Sequence, residues 1–124
     1  MGSRLVAAAA LVAAAAIASG AFGAHALAGR LGARERELWE TGARYLTYAG
    51  IAALAMSLHV VRAGVGATGT WALVAGGVLF SATLFALALG GPRWLGAVTP
   101  LGGLAMIGGL VAFAIAAWRS PGSP

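Results

Sequence analysis

The side chains able to do chemistry in this chain are few. It holds eight arginines, three glutamates and two histidines, and lysine, aspartate and cysteine are absent. Two histidines raise the possibility of a bis-histidine haem. Position argues against it. His25 closes the first long apolar stretch, and His59 lies 14 residues after Tyr45, where the second begins. Along a helix that is about 21 Å, so the two imidazoles sit near opposite membrane faces. No cysteine is present to complete a zinc site. No serine–histidine–acid set or glycine-rich phosphate loop is identifiable. The apolar stretches contain no acidic residue, which argues against proton-coupled export through a buried carboxylate. No cofactor and no metal are expected.

What remains is a candidate ligand, lipid or structural polar site: His25 with Glu40, and Arg44, Tyr45, Ser81 and Thr99 as further polar groups for an internal site. His25 can pair with Glu40, cap the carbonyls that end its helix, or bind a ligand; the structural roles are favoured. Ser81 and its neighbour Thr83 are expected mid-span, bonded to their own helix or to another. His59, near Arg62, is read as an interfacial residue without a role.

The elements that carry these residues follow from the spacing of the charges. The chain has 124 residues, 60% hydrophobic and 9% charged, where a soluble domain has about 25% charged residues. Cutting at each arginine or glutamate leaves Leu5–Gly29, Tyr45–Val61, Ala63–Pro92 and Trp94–Trp118. A spanning helix needs about 20 mostly apolar residues, so each stretch holds one span. Barrel strands would instead alternate polar and apolar over shorter runs. The expected fold is all-α: an integral membrane bundle of four transmembrane helices, with a short amphipathic segment between the first two. The whole chain, 1–124, reads as a single membrane domain. Its helices are expected at about 5–28, 45–62, 71–89 and 99–118, with a polar connection at 29–44. Thr99 and Pro100 fit the N-cap and first position of the last helix. Trp39, Trp71, Trp94 and Trp118 fall at span ends or in a connection, as an interfacial belt would place them. A cleaved signal peptide over the first stretch is the lesser reading, because the run is long for one and three more spans follow.

Most of the charge lies in the first connection. Arg34 with Glu37, Arg36 with Glu40 and Glu40 with Arg44 are spaced as helical pairs. Leu31, Leu38 and Tyr45 repeat every seven residues beside Trp39. This segment is either a helix, lying in the headgroup plane or closing one mouth of the bundle, or a solvated connector. Arg4, Arg62 and Arg119 fall on the side of the termini, against Arg30, Arg34, Arg36, Arg44 and Arg93 on the other. The positive-inside rule then places the termini on the non-cytoplasmic side. A net charge of +5, scattered over both faces, fits lipid headgroups and not nucleic acid.

Helices in lipid associate where small residues let backbones approach. Ala82, Ala86 and Gly90 form one such stripe, and Gly108, Ala112 and Ala116 another. Gly20 and Ala24 extend a small face on the first helix, and Gly76-Gly77, Gly102-Gly103 and Gly108-Gly109 add further points of approach. The pattern implies a tight bundle or a homo-oligomer.

Four blocks carry a family resemblance: Gly20 to Leu27 (GAFGAHAL), Trp39-Glu40-Thr41-Gly42 with Tyr45-x-x-Tyr48, Leu79 to Leu89, and Trp94 to Gly103. In this order they resemble the YgdD-like family of small membrane proteins, related to the eukaryotic transmembrane protein 256. The resemblance covers roughly Gly20 to Gly109 and implies a four-helix protein, in bacteria of the inner membrane, with no established biochemical activity. The chain departs from the family pattern at Ala49, where a histidine is usual. It also has Ala82, Thr83 and Phe85 where glycine, serine and tyrosine are usual. Ala49 weakens any mechanism that pairs a second histidine with His25.

Two functions are consistent with these features. The first is a non-enzymatic membrane component: a subunit, an assembly factor or a lipid-contacting scaffold, partnered by the bilayer and by itself or another membrane protein. The alternative is a minimal transporter or channel for a small or hydrophobic solute. Single cysteines introduced at Arg34 and Gly64 test the orientation. Arg34→Cys should label only from the cytoplasm and Gly64→Cys only from outside; the reverse pattern inverts the topology.

Overall fold

The computed structural model describes residues 2–121. It consists of four helices, α1 (Gly2–His25), α2 (Ala33–Ala63), α3 (Ala67–Ala88) and α4 (Leu95–Arg119). Each is long and apolar enough to cross a membrane, and among the described residues there is no strand. Hydrocarbon offers no partner to a backbone amide, so the chain meets the bilayer only as helices that satisfy themselves.

Short turns make neighbouring helices antiparallel. α1 ends after His25, where the Ala26 and Leu27 amides both bond the Phe22 carbonyl. α2 stops at Gly64, whose φ of 73° places it in the left-handed region. Gly66, at φ 95°, turns the chain into α3. Glycine adopts these angles without steric strain. The glycine-rich stretch after Arg62 therefore contributes only residues 64–66 to the turn, and α3 begins four residues before the expected Trp71.

The amphipathic segment is helical, but it is not a separate piece lying across the headgroups. It forms the first turns of α2, a continuous helix of 31 residues. At 1.5 Å per residue that helix is about 46 Å long, whereas the hydrocarbon core is about 30 Å. Its N-terminal turns therefore stand upright beside the end of α1. No proline or glycine pair separates residues 33–44 from 45–63, so nothing in the backbone breaks the helix.

α4 also starts earlier than expected. The amides of Leu95, Gly96 and Ala97 bond back to Pro92, Arg93 and Trp94, forming a tight turn that nucleates the helix. Pro100 is thus inside α4, near enough to its start that only one helical bond is forgone. Thr99 is not a cap; its hydroxyl bonds the Leu95 carbonyl one turn back.

α2 and α3 are the central pair, with α1 packed on α2 and α4 on α3. The register is fixed where a side chain would not fit. A Cβ at Gly50 would lie 2.7 Å from the Ala13 amide nitrogen, and one at Gly77 would lie 2.5 Å from the Ala49 Cβ. The tightest approach is between α3 and α4. A Cβ at Gly69 would meet the Gly109 carbonyl oxygen at 2.5 Å, and one at Gly102 would meet the Phe80 nitrogen at 2.6 Å. The core between these contacts joins Ala9 and Val12 of α1, Leu46, Ala49 and Met56 of α2, Leu73 of α3 and Met106 of α4.

One small-residue stripe faces away from the bundle. The face of α4 against α3 is Thr99, Gly102, Met106 and Gly109, which are buried. Ala112 is exposed, and the space beside Gly108 is open. On α3, Ala82 is exposed and Gly90 lies beyond the helix. Small residues occur on both faces, so spacing alone does not mark the packed one.

Gly102→Leu should lower thermal stability in detergent by about 1–3 kcal/mol, because a side chain there meets backbone and not a yielding side chain. Gly108→Ala should be neutral or stabilising by up to about 1 kcal/mol. Equal effects would mean that α4 packs through its other face.

Candidate functional site

Polar contacts between helices gather at the end of the bundle that carries the first and third connections. The Trp39 indole N–H of α2 donates to the Ser19 carbonyl of α1 at 2.8 Å. The Ser81 hydroxyl of α3 donates to the Gly42 carbonyl of α2 at 2.7 Å. The Thr83 and Thr99 hydroxyls of α3 and α4 lie 2.7 Å apart. Each threonine also reaches a carbonyl on its own helix, Phe80 for Thr83 and Leu95 for Thr99. Whichever hydroxyl donates across the pair, the other donates to its own helix, so both protons are used. Three contacts thus tie α1 to α2, α2 to α3 and α3 to α4.

Ser81 bonds a neighbouring helix, and Thr83 bonds both its own helix and a neighbour. α3 ends at Ala88, and Ser81 is level with Gly42, near the start of the membrane-crossing part of α2. Trp39 is not part of an interfacial belt. It is buried, its ring lies 4.3 Å from that of Phe85 and 5.9 Å from that of Phe22, and a Cβ at Gly23 would collide with it. Trp71, Trp94 and Trp118 are exposed. Trp39 braces three helices at once.

The residues singled out from the sequence are divided by the fold. Ser81 and Thr99 are buried and bonded as described. Glu40 and Arg44 are exposed and line a groove of about 360 Å³ between α1 and α2. Arg36, one turn before Glu40, lines it too, together with Trp39, Gly20, Gly23 and Ala24. His25 is exposed at the end of α1 and is not part of this wall. Tyr45 turns to the other side of α2. There it contacts Tyr48 and Phe80 with ring centroids 5.3 and 5.1 Å away, beside an apolar groove of about 380 Å³ between α2 and α4. The six residues do not converge on one cavity. Sequence reasoning missed Trp39 as a buried donor and Arg36 as a groove residue. The i,i+4,i+8 spacing of Arg36, Glu40 and Arg44 was the signal available for the second.

His59 lies at the opposite end, its ring edge-on to Phe113 at 5.5 Å, and its Nε2 is buried without a hydrogen-bond partner. Among the described residues no three histidine, glutamate, aspartate or cysteine side chains approach one another closely enough to hold a metal.

The positions where the sequence departs from its family pattern are also placed. Ala49 is fully buried against Gly77, so a histidine there would require α2 and α3 to move apart. Thr83 retains a hydroxyl at the α3–α4 contact, and Phe85 stacks on Trp39.

Four antiparallel spanning helices with satisfied hydroxyls inside and apolar side chains outside define a small polytopic integral membrane protein. The family described as protein of unknown function DUF423 matches residues 19–103, more than half of the chain, and this chain belongs to it. The matched stretch begins at Ser19 and includes every partner in the three cross-helix contacts. The chain is similar to the UPF0382 membrane proteins of Staphylococcus epidermidis (38% identity, 86% of this chain and 88% of the relative) and Staphylococcus haemolyticus (36%, with the same coverage). It is also similar to the UPF0382 membrane protein YwdK of Bacillus subtilis, at 36% identity over 82% of this chain and 85% of the relative. No solved structure matches.

Truncating Trp39 should be the most damaging change in this layer. Trp39→Ala should lower stability by about 3–5 kcal/mol through the cavity it leaves, and Trp39→Phe by about 1 kcal/mol through the lost N–H bond. Ser81→Ala should lower it by only about 0.6 kcal/mol. Unfolding in mixed micelles gives this order; a Ser81 effect larger than that of Trp39→Ala would contradict the bracing role.

Proposed function

We propose that the protein is a non-enzymatic component of the bacterial inner membrane, a scaffold that acts through what its outer surfaces hold. The observation that supports this reading is the contrast between interior and exterior. Among the described residues, every buried side-chain hydroxyl bonds a carbonyl or another hydroxyl, and no buried residue carries a charge. An aqueous path or a proton relay needs a series of polar groups with unused capacity; among the described residues His59 Nε2 alone is buried without a partner, edge-on to Phe113 at one end of the bundle. The outer helices instead present broad apolar faces, among them Leu11 and Ile17 on α1 and Leu104, Ile107 and Val111 on α4.

The outer stripe of α4 supports a self-contact or a partner contact, since Gly108 leaves room for a second backbone. The termini and the α2–α3 turn face the non-cytoplasmic side in this reading, and the groove carrying Arg36, Glu40 and Arg44 opens at the cytoplasmic leaflet.

The chain lacks cysteine, so Gly108→Cys gives a clean test. Oxidation in native membranes should yield a covalent dimer or a cross-linked partner with Gly108→Cys and none with Gly103→Cys, on the side of Phe80. Proteoliposomes should show solute flux equal to that of empty liposomes across a panel of small solutes. Monomers with no cross-link, together with flux that depends on the protein, would replace this reading with the transporter.

A further inference from the structure

The groove between α1 and α2 has a wall that matches one class of lipid. Arg36, Glu40 and Arg44 lie along it on a single face of α2, each separated from the next by one helical turn, about 6 Å. The order is cation, anion, cation. A phospholipid carrying a primary ammonium has the complementary order in miniature: an anionic phosphate, two carbons, then a cation. A guanidinium can hold the phosphate through paired N–H donors, and the carboxylate between the arginines can accept from the ammonium.

Below this wall the groove is shaped for a chain. Gly20 lies within α1, where glycine is disfavoured against alanine by about 0.5–1 kcal/mol. Apart from its own stretch of helix, no atom lies within 4 Å of the place its Cβ would take. Gly23 differs, because Trp39 fills its space. The room beside Gly20 therefore serves no contact within the protein. Ala16, Ala24 and Ala43 continue the same smooth surface.

We propose that this groove is a binding site for phosphatidylethanolamine. One guanidinium of the pair Arg36 and Arg44 holds the phosphate, Glu40 one turn away accepts from the ammonium, and the first carbons of an acyl chain lie over Gly20. The proposal deepens the lipid-contacting scaffold reading and rests on it. Glu40 gives the site its selectivity. Phosphatidylglycerol lacks the ammonium and meets an unpaired carboxylate, and phosphatidylcholine has a cation without N–H donors.

Native mass spectrometry of the full chain, equilibrated with mixed micelles of phosphatidylethanolamine, phosphatidylcholine and phosphatidylglycerol of identical acyl chains, reads this directly. The wild type should retain phosphatidylethanolamine about tenfold over phosphatidylcholine, the ratio one charge-assisted hydrogen bond supplies. Glu40→Gln should bring the two to parity, and Arg36→Gln with Arg44→Gln should weaken retention of all three. Gly20→Leu, which fills open space, should abolish retention while the melting temperature holds. Equal retention of phosphatidylethanolamine and phosphatidylcholine by the wild type overturns the proposal. So does stronger retention of phosphatidylglycerol, which would mark a merely basic surface, or a preference that survives Glu40→Gln. Flux and cross-linking on the same preparation report separately on the scaffold reading, so either can fail without the other.

Discussion

The closest approach of two backbones in this protein, between α3 and α4, is where its architecture begins. In lipid no hydrophobic effect drives one apolar helix onto another, because the tails are as apolar as leucine. Attraction comes from dispersion, hydrogen bonds between helices and lipid entropy, and dispersion weakens quickly with distance. Gly69 against Gly109 and Gly76 against Gly102 remove the side chains that would hold the axes apart. The same device repeats at Gly50 against Ala13 and at Gly77 against Ala49, so each successive pair of helices is joined by a contact that only a glycine or alanine permits.

Close approach brings backbone carbonyls of one helix within reach of short side chains on the next, and this accounts for the cross-helix hydrogen bonds. Ser81 reaches the Gly42 carbonyl because Gly42 itself has no side chain to hold α3 away. Thr83 and Thr99 meet for the same reason, close to the approach at Gly102. These bonds are individually weak, about 0.6 kcal/mol, but they cluster at one end. There Trp39 adds an indole that touches three helices. That end therefore holds the hydrogen bonds between helices seen among the described residues, next to the N-terminal turns of α2.

The extension determines where interaction chemistry is available. Were residues 33–44 to lie flat on the headgroups, Arg36, Glu40 and Arg44 would face water. Continuous with α2 and upright beside α1, they become one wall of a groove whose other wall is alanine and glycine. Inside the bundle the buried hydroxyls are all bonded, and His59 Nε2 at the far end is the buried polar atom left without a partner among the described residues. Charged side chains with free polar groups lie on the outer surface, among them Arg36, Glu40 and Arg44 along the groove between α1 and α2.

The sequence alone determined that the chain crosses the membrane four times, because the energy of placing an arginine or glutamate in hydrocarbon leaves only four places for spans. It also marked the first connection as the region of polar interest and the glycines as points of contact. It did not determine which glycines: Gly108 and Gly109 are adjacent, yet one faces open space and the other α3. Helix ends were misplaced where local signals had two readings. Thr99-Pro100 resembles a helix start until the turn at Pro92 supplies an earlier one, and the density of charge at residues 33–44 resembles a connector until α1 is seen beside it. Trp39, legible as an interfacial residue, is a buried brace because Gly23 and Phe85 receive it. Solvent preference is a property of each residue and survives in the sequence. Facing, depth and partnership are relations between helices, and only the tertiary structure decides them.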